Sequence, residues 1–223
     1  MSLTSNFLEN PETFLETTVM IVPSQTDEDV GSPKLHEFVV KKHGSNSALL
    51  VPSTKDDVGT VKAYYLPWAM SHATSMDLGD AADFFFTSEM TNCRFSILAD
   101  DPKKPKVAHV AGNTNKKDRD TYEVDDNFVT NENKGRARRF SVSQGSDPTK
   151  DFNPANKFGK THQYVGQRFG GSSAFVFGHR IEGTWKFYAQ VVKGSMASPS
   201  DIVMDSDLTI LKFPKTGGVL HEL

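Results

Sequence analysis

Apolar and polar residues alternate over short runs in much of this chain. Arg94–Ala99 (RFSILA) and Lys106–Ala111 (KVAHVA) alternate cleanly, which is the period-two signature of a half-buried strand. Asp100–Pro105 (DDPKKP) between them is a loop with two prolines, and the two runs can pair as a hairpin across it. Thr18–Val22 (TVMIV), Leu35–Lys41 (LHEFVVK), Ala48–Val51 and Val61–Leu66 (VKAYYL) read as further strands from their β-branched and aromatic content. Gly44-Ser45-Asn46, Pro52-Ser53 and Pro67 punctuate them. Ala82–Ser88 (ADFFFTS) is too apolar for a surface strand, and Met90–Cys93 (MTNC) after it reads as a turn. Ser172–Ile181 and Thr184–Val192 make the clearest hairpin, around Glu182-Gly183. Leu208–Phe213 is a last strand.

Helical signal is sparse. Asn6–Thr17 can hold one short helix packing Phe7, Leu8, Phe14 and Leu15, and Gly79 argues against a long helix in the small, polar Ala69–Asp80. Gly112–Gln163 is rich in Asn, Lys, Asp and Gly. Surface excursions are expected there, with short elements around Tyr122–Val124, Phe128–Val129 and Phe140–Val142. Its basic Gly135–Arg139 (GRARR) reads as a solvated loop in preference to a partner-facing patch. The predicted class is α+β but mostly β. It is a β-sandwich of mixed sheets, about nine or ten strands, flanked by a few helices and long loops. Residues 1–223 are read as one domain, with the polar, loop-rich segment at 112–163.

Composition narrows the function classes. A net charge of −3, from 25 basic and 28 acidic residues, gives no electrostatic case for nucleic acid or an anionic membrane as main partner. One cysteine rules out an intramolecular disulfide and a multi-cysteine zinc site. The seven histidines show no metal-ligand spacing with one another, and no cofactor or metal is expected. Met1–Thr18 lacks a basic n-region and a long apolar stretch, so no Sec signal peptide is read. No apolar run approaches the roughly 18 residues of a membrane span. The expectation is a soluble, cytoplasmic monomer, or an effector delivered by another route to a host cytosol. Phosphate-binding loops and a nucleophile elbow are absent from the sequence.

The candidate chemistry lies at the lone cysteine. Cys93 opens the run Arg94–Ala99, His109 lies sixteen residues on in the next run, and Thr87 lies six residues before the cysteine. In an antiparallel hairpin, an even sum of opposed positions puts Cys93 and His109 on one face; an odd sum separates them, barring a bulge. A free thiol is mostly protonated at neutral pH. An imidazole on the same face can take its proton and later return it to a leaving group. Thr87 is a candidate for orienting the ring, and the Thr91-Asn92 turn for offering backbone N–H groups to an oxyanion. On periodicity alone a lone cysteine is more often an inert small hydrophobe. His179, in the strong strand Ser172–Ile181, is favoured for a core or edge role.

Four segments add a resemblance. Tyr65-Leu66-Pro67-Trp68, Ala82-Asp83-Phe84-Phe85-Phe86-Thr87, Met90-Thr91-Asn92-Cys93 and Val107-Ala108-His109 resemble the glutamine-deamidating toxins typified by Burkholderia lethal factor. The catalytic domain of the cytotoxic necrotizing factors belongs to the same group, and bacterial chemoreceptor glutamine deamidases are more distant members. The match covers roughly a quarter of the chain and continues weakly into Ser172–Val192. Thr91-Asn92 stands where the family carries Ser-Gly before the cysteine. The resemblance implies a β-sandwich with helices, Cys93 as nucleophile, His109 as general base and Thr87 as its orienting residue. It implies deamidation of a glutamine on a partner protein of the small GTPase or translation factor class, with transglutamination as a side activity and a role in virulence. The contrasting expectation is a non-catalytic β-sandwich binding module that keeps the fold.

Overall fold

The computed structural model describes residues 2–23, 33–70, 73–90, 93–98, 101–111, 139–145, 161–165, 172–193, 203–204 and 209–211. They form two short helices, α1 (Leu3–Glu9) and α2 (Pro11–Thr17), and strands β1 (Val19–Ile21), β2 (Lys34–Lys42), β3 (Ser47–Pro52), β4 (Val61–Leu66), β5 (Ala73–Asp77), β6 (Phe84–Thr87) and β7 (Arg94–Leu98). The chain continues through β8 (Lys106–Val110), β9 (Arg139–Gly145), β10 (Thr161–Val165), β11 (Ser172–Ile181), β12 (Thr184–Lys193), β13 (Val203–Met204) and β14 (Thr209–Leu211). The mostly-β expectation holds, with more strands than predicted.

Where one helix was expected in Asn6–Thr17 there are two. Asn10 breaks the run: its side chain accepts the Thr13 N–H at 3.2 Å, and Pro11 follows as the first residue of α2. An N-cap with proline at N1 starts a new helix at that point. Phe7 and Leu15 are buried as expected, whereas Leu8 points outward. β5 was not read from the sequence. Its run ATSMD has weak alternation, and pairing with β8 makes it a strand.

The larger sheet has the order β1-β3-β2-β4-β6-β11-β12-β13, with β14 also on β12. Its central pair, β4 and β6, is parallel, and the chain crosses between them through β5 in the second sheet. The second sheet has the order β10-β9-β7-β8-β5. Strand parity sorts the core into two layers. Val61, Ala63, Tyr65, Phe86, Phe175 and Phe177 look towards Phe7 and Leu15 of the helices. Tyr64, Leu66, Phe85, Val176 and Phe187 look towards Phe95 and Val107 of the second sheet. Both faces of the central strands are therefore buried, which is why FFFT reads as a continuous apolar run.

Two details hold this arrangement together. Gly178 sits between Phe85 and Phe187, where a Cβ would come within 3.0 Å of Phe85 Cβ and 3.1 Å of Phe187 Cε1. A side chain there would push by a few tenths of an ångström on the two rings, which meet at 5.8 Å and each lie 5.8 Å from Phe95. Gln190, fully buried on β12, draws the two ends of the large sheet together. Its Nε2 donates to Leu15 O and Thr18 O, at 2.6 and 2.9 Å, and its Oε1 accepts the Met20 N–H at 2.9 Å. The β11–β12 turn has φ of 50° at Glu182 and 77° at Gly183, the left-handed pair that a two-residue hairpin requires.

Candidate active site

His109 occupies the inner face of β8, opposite Phe95 of β7 and Thr74 of β5. The Phe95–His109 pairing is an even register, so Cys93, two residues before Phe95, falls on the same inner face as His109 and diagonal to it. Cys93, Phe95 and Val107 belong to the apolar layer between the sheets. β7 and β8 do pair as an antiparallel hairpin, in the even register that keeps thiol and imidazole on one side.

Both groups are deeply set. Cys93 is 4% exposed and His109 0%. Burial pushes the His109 imidazole down to about 3, with no charged neighbour contributing. The ring is therefore neutral at physiological pH, with one N–H and one bare nitrogen. Its Nδ1 lies 3.4 Å from Ser88 Oγ, and its Nε2 is buried with no hydrogen-bond partner. A buried polar atom left open in this way is uncommon in a folded protein.

Thr87 sits close by but is otherwise engaged. It is fully buried, and its Oγ1 accepts the Val176 N–H of β11 at 2.9 Å. The hydroxyl that meets Nδ1 belongs to the next residue, Ser88. Strict alternation would turn Ser88 away from Thr87, but β6 ends at Thr87. The Ser88 N–H still bonds Leu66 O and Met90 bridges Ala174, yet Ser88 Oγ lies 3.4 Å from the ring nitrogen. The ADFFFTS run contained Ser88, but no sequence signal marked it out. Thr74, also unread, donates from Oγ1 to the backbone oxygens of Pro67 and His109. Thr91 and Asn92, the expected oxyanion turn, lie outside the described residues, as do Tyr122–Val124 and Phe128–Val129. Phe140–Val142 falls within β9, paired to β7.

A second polar cluster lies on the helix-covered face. His179 Nδ1 meets Glu12 Oε1 at 2.9 Å, and the ring stacks on Phe84 at 5.1 Å and 12°. Burial pulls the Glu12 carboxyl up. Hydrogen bonds from His179, its own backbone and Tyr188, with the His179 charge, outweigh that and hold it below its usual value. The Tyr188 hydroxyl is raised, by burial first and then by the Glu12 charge and hydrogen bond. This fits the structural role expected for His179.

Among the described residues, no group of three or more His, Cys, Asp or Glu side chains could hold a metal ion, and no helix is long and apolar enough to cross a membrane. No protein-family model matches the chain, and a search of curated proteins found no match.

Proposed function

We propose that the protein is a cysteine amidohydrolase acting on the side-chain amide of a glutamine in a partner protein, of the deamidase type that its motifs resemble. The observation that carries this reading is the shared inner face of Cys93 and His109, with His109 Nε2 buried and unpartnered. A neutral imidazole with a bare nitrogen can accept a proton, and the burial that pushes its pKa down to about 3 weakens it as a base.

In this mechanism Nε2 takes the Cys93 proton as sulfur attacks the glutamine Cδ. The C–N bond breaks as the imidazolium returns that proton to nitrogen, and ammonia leaves. Nε2 then deprotonates a water molecule that attacks the thioester, and the proton ends on the departing thiolate. The sum is glutamine plus water to glutamate plus ammonia. An amine in place of water gives transglutamination. By resemblance, the substrates are small GTPases or translation factors.

A second reading, a non-catalytic β-sandwich binding module, is favoured by the near-complete burial of both groups. Thiol reactivity separates the two. In an enzyme, Cys93 in the native chain alkylates faster with iodoacetamide than in urea, and His109→Ala slows it by about a hundredfold or more. An inert core thiol alkylates more slowly in the native chain than in urea, and that result overturns the enzyme. With a GTPase or translation factor as substrate, Cys93→Ser abolishes ammonia release. Undiminished release from that variant also sinks the assignment.

A further inference from the structure

We propose that Ser88 is the positioning residue for His109, its hydroxyl accepting the Nδ1–H and holding the ring in the tautomer whose Nε2 carries the lone pair. The inference rests on the catalytic reading of Cys93 and His109, and differs from the resemblance, which gives that role to Thr87.

Three hydroxyl-bearing residues, Thr74, Thr87 and Ser88, are the candidates, and their bonding distinguishes them. Thr87 Oγ1 already accepts a backbone N–H from β11. Thr74 Oγ1 donates to two backbone oxygens, one of them that of His109 itself. Ser88 Oγ alone reaches a ring nitrogen, at 3.4 Å and with only 2% of the residue exposed. That distance is long, as resting contacts in catalytic sites often are before substrate tightens them.

Burial then selects the direction of the bond. If Ser88 donated to Nδ1, the ring proton would sit on Nε2, leaving a buried N–H with no acceptor. If Nδ1–H donates to Ser88, the open atom is an acceptor, which costs less to bury unpaired than a donor. The second arrangement is also the one in which Nε2 can receive a proton from sulfur. When it does, the positive ring keeps its Nδ1–H bond to the serine oxygen. A hydroxyl carries no charge, so it orients the ring without raising its basicity as a carboxylate would.

The test reads the tautomer directly. Long-range proton–nitrogen spectra of the full chain, labelled with ¹⁵N-histidine, should show His109 at pH 7 with Nδ1 protonated and Nε2 bare. Ser88→Ala should transfer a large share of the population to the Nε2–H form, and Ser88→Thr should restore the wild-type pattern. Alkylation of Cys93 should fall in Ser88→Ala by roughly ten- to a hundredfold, less than on loss of the base itself, and recover in Ser88→Thr. A wild-type ring protonated on Nε2 overturns the proposal, even if Ser88→Ala does not fold. So does an unchanged tautomer in a folded Ser88→Ala. The tautomer is legible in Cys93→Ser as well. A chain that releases no ammonia yet shows the predicted shift would fail as an enzyme without failing this inference.

Discussion

A histidine lies on each side of the large sheet, His179 on its own strand β11 and His109 on β8 of the second sheet, and the two are held in opposite ways. On the helix side, His179 has a carboxylate at 2.9 Å, an aromatic ring stacked on it and a side chain 20% exposed. On the sheet side, His109 is fully buried, touches a hydroxyl and has no counter-charge contributing to its titration. A histidine with a carboxylate partner is suited to clamping one element to another, here α2 to β11. A histidine buried without one stays neutral and keeps a lone pair. The same residue type thus meets a carboxylate on one side of the sheet and is a buried, neutral ring on the other, the ring that the proposed mechanism takes as its base.

The comparison breaks most easily at the helix layer. Phe7 of α1 is fully buried and meets Phe14, Phe84, Phe86 and Phe177 at 5.5–6.0 Å. Phe7→Ala should destabilise the chain by about 3–5 kcal/mol, for lost burial plus the cavity left behind. Urea denaturation measures this. If the faces are independent, the native-state alkylation rate of Cys93 stays the same in that variant. A parallel change in reactivity would show that the helix layer also supports the thiol.

Acid sharpens the contrast, with an effect of intermediate size. The His109 pKa falls from 6.5 to about 3 on folding, so the unfolded chain binds this proton first. Its contribution is complete above pH 6.5 and is lost as pH falls towards 3, at about 1.4 kcal/mol per pH unit. Between pH 7 and 5 the wild type should lose roughly 2 kcal/mol from this group. His109→Asn should lack that part of the slope. An identical pH dependence in the two chains would mean that His109 is not the buried neutral ring described.

Much of this architecture was legible as pattern. Period-two alternation located β7 and β8, and parity limited Cys93 and His109 to one shared face or none. What parity could not supply was the register, which pairing with β5 and β9 on either side fixes along with the hairpin itself. The parallel β4–β6 pair was equally out of reach, because its partners are brought together by a crossover through another sheet. Ser88 was hidden because strict alternation puts it on the face opposite Thr87. Gln190 was hidden because its three partners lie about 170 residues away in sequence. The two-helix split at Asn10-Pro11 was within reach, since an N-cap before proline is a local signal.

The smallest effect tests the helix side of the comparison directly. Glu12→Gln keeps the shape of the side chain and removes its charge. The Glu12 carboxyl is held below its usual value of 4.5 in the folded chain. Its contribution is therefore present above pH 4.5 and lost as pH drops through the folded value. At pH 7 the substitution should cost roughly 0.5–1 kcal/mol, as for a partly exposed pair. By pH 3 the gap between wild type and variant should shrink, since the acid then protonates the carboxylate that the substitution removes. Taking the difference at each pH cancels the larger His109 titration, which both chains share. Raised salt should narrow the gap wherever His179 is protonated but leave the His109 slope nearly unchanged, because a partly exposed ion pair is screened and the desolvation of a buried ring is not. A gap independent of both acid and salt would assign the contact to neutral hydrogen bonding, and the contrast between a histidine clamped by a carboxylate and one buried without a counter-charge would fail on its helix side.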